Sequence, residues 1–121
     1  MFHLSTRAKS FADAFNGLGF VARTQANFRI HAFIALLVTG AGLGLHVSSD
    51  AWRWLILAMA LVLIAEVFNT AFEHLCDVVQ PDLHASVKAA KDIAAGAVLL
   101  SAIAAAGVGA LVFWPYVAGW R

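Results

Sequence analysis

Trp54-Leu-Ile-Leu-Ala-Met-Ala-Leu-Val-Leu-Ile-Ala65 is an unbroken apolar run that leads straight into Glu66-Val-Phe-Asn69-Thr-Ala-Phe-Glu73-His-Leu-Cys-Asp77. The run reads as the interior of a membrane-spanning helix, and its continuation carries the only two glutamates of the chain. A carboxylate at hydrocarbon depth costs at least about 2.5–3.5 kcal/mol on insertion scales, so it needs a partner or a task. At about 100° per residue, positions 66, 69, 73 and 77 fall within a wedge of roughly 80°. The same four positions climb about 16 Å along the helix axis, from the membrane interior toward one surface. An acidic stripe that runs from lipid to water suits a site where a lipid-borne group meets a charged reagent from solution.

Composition agrees with a membrane setting. The 121 residues are 62% hydrophobic and only 12% charged, against roughly 25% charged in soluble domains. Mean hydropathy is +0.82. We expect one integral-membrane unit over residues 1–121. A net charge of +1 with no dense basic patch argues against nucleic acid as a partner. The single cysteine, Cys76, rules out an intrachain disulfide and reads as a small packed hydrophobe. The N-terminus lacks an apolar core followed by a small-residue cleavage site and reads as retained.

The fold expected is all-α. Three stretches, about 30–47, 52–75 and 93–118, are long enough to cross a bilayer, which takes about 20 residues each. Pro81-Asp82 should stop the second helix. Arg7, Lys9, Arg23 and Arg29 precede the first span and Lys88 and Lys91 the third, while Arg53 lies in the opposite loop and Arg121 ends the chain. The positive-inside rule then puts the N-terminus and the 76–92 loop in the cytoplasm. Residues 6–23 place Phe11, Phe15, Leu18 and Ala22 at helical spacing, as in an amphipathic helix lying on the membrane surface. Trp52, Trp54, Trp114, Tyr116 and Trp120 mark the outer interface. Gly40 and Gly44 form a small-xxx-small pair, and the third span is rich in alanine and glycine, as at close helix contacts.

Each polar residue of the stripe has a chemical reading beside a plainer one. Glu66 is the deepest; a carboxyl group there suits a general base for a lipid hydroxyl, or a protonated group bonded to a neighbouring helix. Glu73 and Asp77 offer oxygen ligands for a divalent cation, or form a solvated helix end. Asn69 can bond Glu66, a substrate or another helix. Lys91, opening the third span with Asp92, suits phosphate or serves as a positive anchor. His74, Cys76 and His84 have no spacing that closes a zinc site. Soluble nucleotide-binding signatures are missing as well.

Glu66-x-x-Asn69-Thr-Ala-x-Glu73-x-x-x-Asp77, followed by Ala90-Lys91-Asp92-Ile-Ala-Ala-Gly-Ala-Val, resembles the small bacterial integral-membrane diacylglycerol kinase family, which includes the undecaprenol kinases. Lys9-Ser10-Phe11, Gly17 and Asn27-Phe28-Arg29-Ile30-His31 extend the likeness over nearly the whole chain, the last segment closer to the undecaprenol kinase branch. The resemblance implies a homotrimer in the bacterial inner membrane, each subunit with three transmembrane helices and an amphipathic N-terminal helix. Its active sites would lie between subunits at the cytoplasmic interface. It implies magnesium-dependent transfer of the ATP γ-phosphate to a lipid hydroxyl, of diacylglycerol or undecaprenol. Carried onto this chain, Glu66 is the general base with Asn69 beside it, and Glu73 is a metal ligand that also meets ATP. Asp77, Asp82, His84, Lys91 and Asp92 serve the nucleotide, and Ala95 joins Glu66 at the lipid.

Gln25 stands where the family has a metal-binding glutamate, and its amide oxygen would be a weaker ligand. Phe68, Phe72 and Cys76 replace aliphatic residues and flank the stripe. Two other functions compete on the residues alone. A proton-relay or transport subunit would use the buried carboxylates but has no need of Lys91-Asp92, and a structural membrane subunit would tolerate a neutral stripe.

Overall fold

The computed structural model describes residues 4–82 and 84–119. They form four helices: α1 (Leu4–Thr24), α2 (Ala26–Leu45), α3 (Ser49–Val79) and α4 (Ala85–Val117). Trp120, expected to mark the outer interface, lies outside the described residues, as does Arg121.

The chain turns where its local chemistry tells it to. Gln25 is extended (φ −109°, ψ 109°) and separates α1 from α2. The orphan carbonyls at the end of α1 are then satisfied by Arg29, whose Nη1 donates to Ala22 O at 3.0 Å and to Arg23 O at 2.9 Å. α2 ends at His46, a left-handed residue with φ 52°; the following Val47 N–H returns to Gly42 O. Ser48 caps α3 by accepting a hydrogen bond from Ala51 N at 3.1 Å. α3 runs on to Val79 and stops before Pro81, as the sequence requires. His84 caps α4, its Nδ1 accepting from Ser86 N at 3.2 Å.

α3 is the centre of the molecule. It packs most extensively on antiparallel α4, then on α2, while α1 touches the parts of α2 and α3 near its own end. Leu55, Ala58, Val62, Glu66 and Thr70, at steps of three and four, form its buried stripe. At one end Tyr116 Oη accepts from Ser48 N at 3.3 Å, tying the close of α4 to the α2–α3 turn. At the other end Lys91 on α4 is bonded to Asp77 on α3.

α2, α3 and α4 are each long and apolar enough to cross a membrane. Their outward faces carry Leu36, Ile56, Leu99 and Leu111, all well exposed. Such continuous apolar surface belongs against lipid or another apolar chain. α1 leaves Phe11 and Phe15 about as exposed, at 69% and 70%.

Three expectations need adjustment. α3 begins at Ser49 and continues four residues past Leu75, and α4 starts at Ala85 and not near 93. Ser86, Lys88, Lys91 and Asp92 interrupt the hydropathy of this stretch but not its helix. The glycine that matters within the subunit is Gly42, where a Cβ would stand 2.7 Å from Trp52 Cη2. Gly40 and Gly44 have nothing within 4 Å of that position.

Candidate functional site

The acidic stripe is real and graded. Glu66 is 2% exposed, in the same buried row as Val62 and Thr70. One turn on, Asn69 and Glu73 are half-buried, and Asn69 Nδ2 donates to Glu73 Oε1 at 3.3 Å. Asp77, another turn on, has 62% of its side chain exposed and pairs with Lys91 Nζ at 2.5 Å. One face of one helix therefore passes from a dry carboxylate to a wet one.

Glu66 has little polar company. Its Oε1 is buried without a hydrogen bond, and the nearest basic group is His31 Nε2 on α2, 3.4 Å away. The Thr70 hydroxyl is spent on the Glu66 backbone carbonyl at 3.0 Å. A buried polar oxygen left in that state is costly unless a ligand completes it. Asn69 Oδ1 is buried and unpartnered as well. Two unpartnered oxygens thus lie on one face, with Glu73 beside them.

These side chains fit a divalent cation in donor chemistry. Magnesium takes oxygen ligands and is commonly held by one or two carboxylates together with substrate phosphates. Glu73 supplies a carboxylate and Asn69 Oδ1 a neutral oxygen. Among the described residues no three of His, Cys, Asp and Glu gather as a closed metal cage. Gln25 is half-buried at the α1–α2 joint, where its Nε2 donates to Thr24 Oγ1 at 3.2 Å.

Lys91 faces the stripe as expected, and its contact is Asp77. Asp92 points elsewhere: it pairs with Lys88 at 2.7 Å on the exposed side of α4. Ala95 is also exposed. Asp82 and His84 are exposed in the α3–α4 loop, His84 in its capping role. Phe20 on α1 meets His74 edge-on, ring centroids 5.2 Å apart, and brings the N-terminal helix beside the Glu73 turn.

His31 is the residue to which the sequence reading gave no task. The signal was there: an ionisable side chain opening an otherwise uncharged span, with a lone buried carboxylate on the next helix.

The chain matches the prokaryotic diacylglycerol kinase family over residues 12–113. It is 45% identical over 107 residues to a diacylglycerol kinase of Synechocystis sp., an alignment that covers 88% of this chain and 61% of that protein. It is 38% identical over 107 residues to an undecaprenol kinase of Bacillus subtilis, covering 88% of this chain and 87% of the other. The chain thus spans about 61% of the length of the first relative and most of the second.

Proposed function

This chain belongs to the prokaryotic diacylglycerol kinase family, and on that premise we propose that it is a lipid kinase transferring the γ-phosphate of ATP to the hydroxyl of a membrane lipid alcohol. The acceptor is of the diacylglycerol or undecaprenol class, and the product is phosphatidic acid or undecaprenyl phosphate. The observation that carries the reading is the gradient along α3, from Glu66 at 2% exposure to Asp77 in water.

In this reading Glu66 receives the lipid hydroxyl and takes its proton as the oxygen attacks phosphorus. Magnesium, held by Glu73 with Asn69 and, more weakly, Gln25, would neutralise charge on the phosphates. Lys91 binds phosphate after leaving Asp77. That exchange is easy, because an ion pair this exposed contributes little to stability. Asp77, released, turns to the nucleotide with Asp82, His84 and Asp92, while Ala95 faces the lipid.

The assembly proposed is a homotrimer with sites between subunits, which would cover the apolar faces of α2 and α4. α1 lies in the membrane surface with Phe11 and Phe15 in the acyl boundary. The N-terminus and the α3–α4 loop are in the cytoplasm of a bacterial inner membrane, where ATP is available.

The buried stripe also argues against a proton relay. Beyond Glu66 it continues through Val62, Ala58 and Leu55 with no titratable group. Protein in phospholipid vesicles, given radiolabelled ATP and magnesium with dioleoylglycerol or undecaprenol, tests the proposal. Label in the matching lipid phosphate is expected; no labelled lipid with either alcohol would refute it.

A further inference from the structure

His31 lies between two features that the transfer scheme leaves unconnected. Its Nε2 is 3.4 Å from Glu66 Oε1, an oxygen buried without any hydrogen bond. The same side chain lines a cavity of about 300 Å³ between α2, α3 and α4, walled by apolar residues such as Val38, Met59, Ala105 and Phe113. With 23% of its side chain exposed, His31 is held without being sealed in.

The other charges nearby are acidic or already engaged. On α3, Glu73 is seven residues on, about 10 Å along the axis. On α4, Lys91 is held by Asp77 and Lys88 by Asp92. On α1, Arg23 lies back along its own helix beside Gly19. Among the described residues His31 is therefore the basic group set against Glu66.

We propose that His31 is a positioning residue for phosphate transfer: its Nε2–H closes onto Glu66 Oε1 when the lipid hydroxyl arrives and so aims Oε2 at that hydroxyl. The proposal rests on the reading of Glu66 as the base. Catalytic hydrogen bonds that are long in a free enzyme commonly tighten in the reactive complex. In the step itself, Glu66 Oε2 takes the hydroxyl proton while the hydroxyl oxygen forms its bond to the γ-phosphorus. The bond from that phosphorus to the β,γ-bridging oxygen breaks, and its electron pair leaves on ADP. The proton then passes from Glu66 to water, and the imidazole neither gains nor loses one. A fixed imidazole spares the carboxylate a search among rotamers at each turnover.

Two substitutions separate positioning from packing. The amide nitrogen of asparagine can mimic Nδ1 and that of glutamine Nε2, so His31→Asn removes the donor to Oε1 and His31→Gln restores one. We expect His31→Asn to lower kcat about 10–100-fold, in the range of lost second-sphere partners, with KM for ATP within about twofold. His31→Gln should recover most of that loss. In a Glu66→Gln background, His31→Asn should cost nothing more, because its effect runs through the carboxylate. Equal loss in both backgrounds, equal behaviour of the two substitutions, or unimpaired His31→Asn overturns the proposal.

A second measurement needs no turnover. In nitrogen-15 histidine-labelled protein in lipid bicelles, the His31 ring signal is assigned by its absence in His31→Asn. Glu66→Gln should displace it; an unmoved signal overturns the pairing. If the signal moves while wild-type protein phosphorylates neither lipid alcohol, the kinase reading fails and the pairing stands.

Discussion

Glu66→Gln should abolish phosphate transfer while leaving the fold and nucleotide binding almost untouched. The substitution exchanges one oxygen for an NH₂ group of nearly the same size in a site that is 2% exposed, so packing against Val62 and Thr70 is preserved. The Thr70 bond is to the backbone carbonyl and survives. Removing a carboxylate from apolar surroundings should, if anything, raise thermal stability. Asp77 stands eleven residues along α3, about 16 Å away by helical rise, and Lys91 on α4 is bonded to it there, so KM for ATP should stay within about twofold. The loss should fall on kcat, by about 10²–10⁴ for a missing general base, or roughly 2.7–5.4 kcal/mol of barrier. Initial rates in vesicles, at saturating lipid and ATP, give kcat; unfolding in detergent gives the stability. Wild-type kcat would remove Glu66 from the chemistry. A rate loss accompanied by a lower Tm and a raised KM for ATP would mean a structural role instead.

Other consequences are as open to measurement. Gly42→Ala places a methyl 2.7 Å from the Trp52 ring and should destabilise the fold by about 1–3 kcal/mol, seen as a lower Tm in detergent; Gly40 has open space, so Gly40→Ala should leave the monomer unchanged. Gln25→Glu should lower the magnesium concentration needed for half-maximal activity, because an added carboxylate strengthens a hard oxygen site; an unchanged or higher requirement would place the metal elsewhere. Ser86→Cys in a Cys76→Ser background should react with an impermeant thiol reagent only from the cytoplasmic side, and labelling of intact cells from outside would invert the topology.

Much of this architecture is legible in the sequence because membrane helices announce themselves by long apolar runs. Their ends are less so. Hydropathy reports where lipid stops, whereas α3 and α4 keep their backbone bonds for several residues after Leu75 and before Ile93. The stripe was readable because it lies on one helix, where spacing alone fixes relative direction. Contacts between helices were not: nothing in the residue order says that Lys91 finds Asp77 while Asp92 turns back to Lys88. Gly42 likewise lost to Gly40 and Gly44 in a reading by pattern, because only the crossing of Trp52 over α2 decides which glycine is pressed. His31 becomes meaningful only when α2 is laid beside Glu66.

The length of α3 also works as a depth gauge. If Ser49 starts at the outer edge of a hydrocarbon layer about 30 Å thick, helical rise brings Glu66 to about 26 Å, Asn69 to about 30 Å and Glu73 to about 36 Å. The oil–water boundary then crosses the helix at Asn69. A nucleotide need never dissolve in oil, and an alcohol need never leave it. In the proposed transfer one phosphoryl group would cross that boundary inward and one proton outward. Thickening the surrounding bilayer by a single helical turn would move the boundary from Asn69 to Glu73, so the proposed chemistry is tied to the membrane's thickness as well as to its lipids.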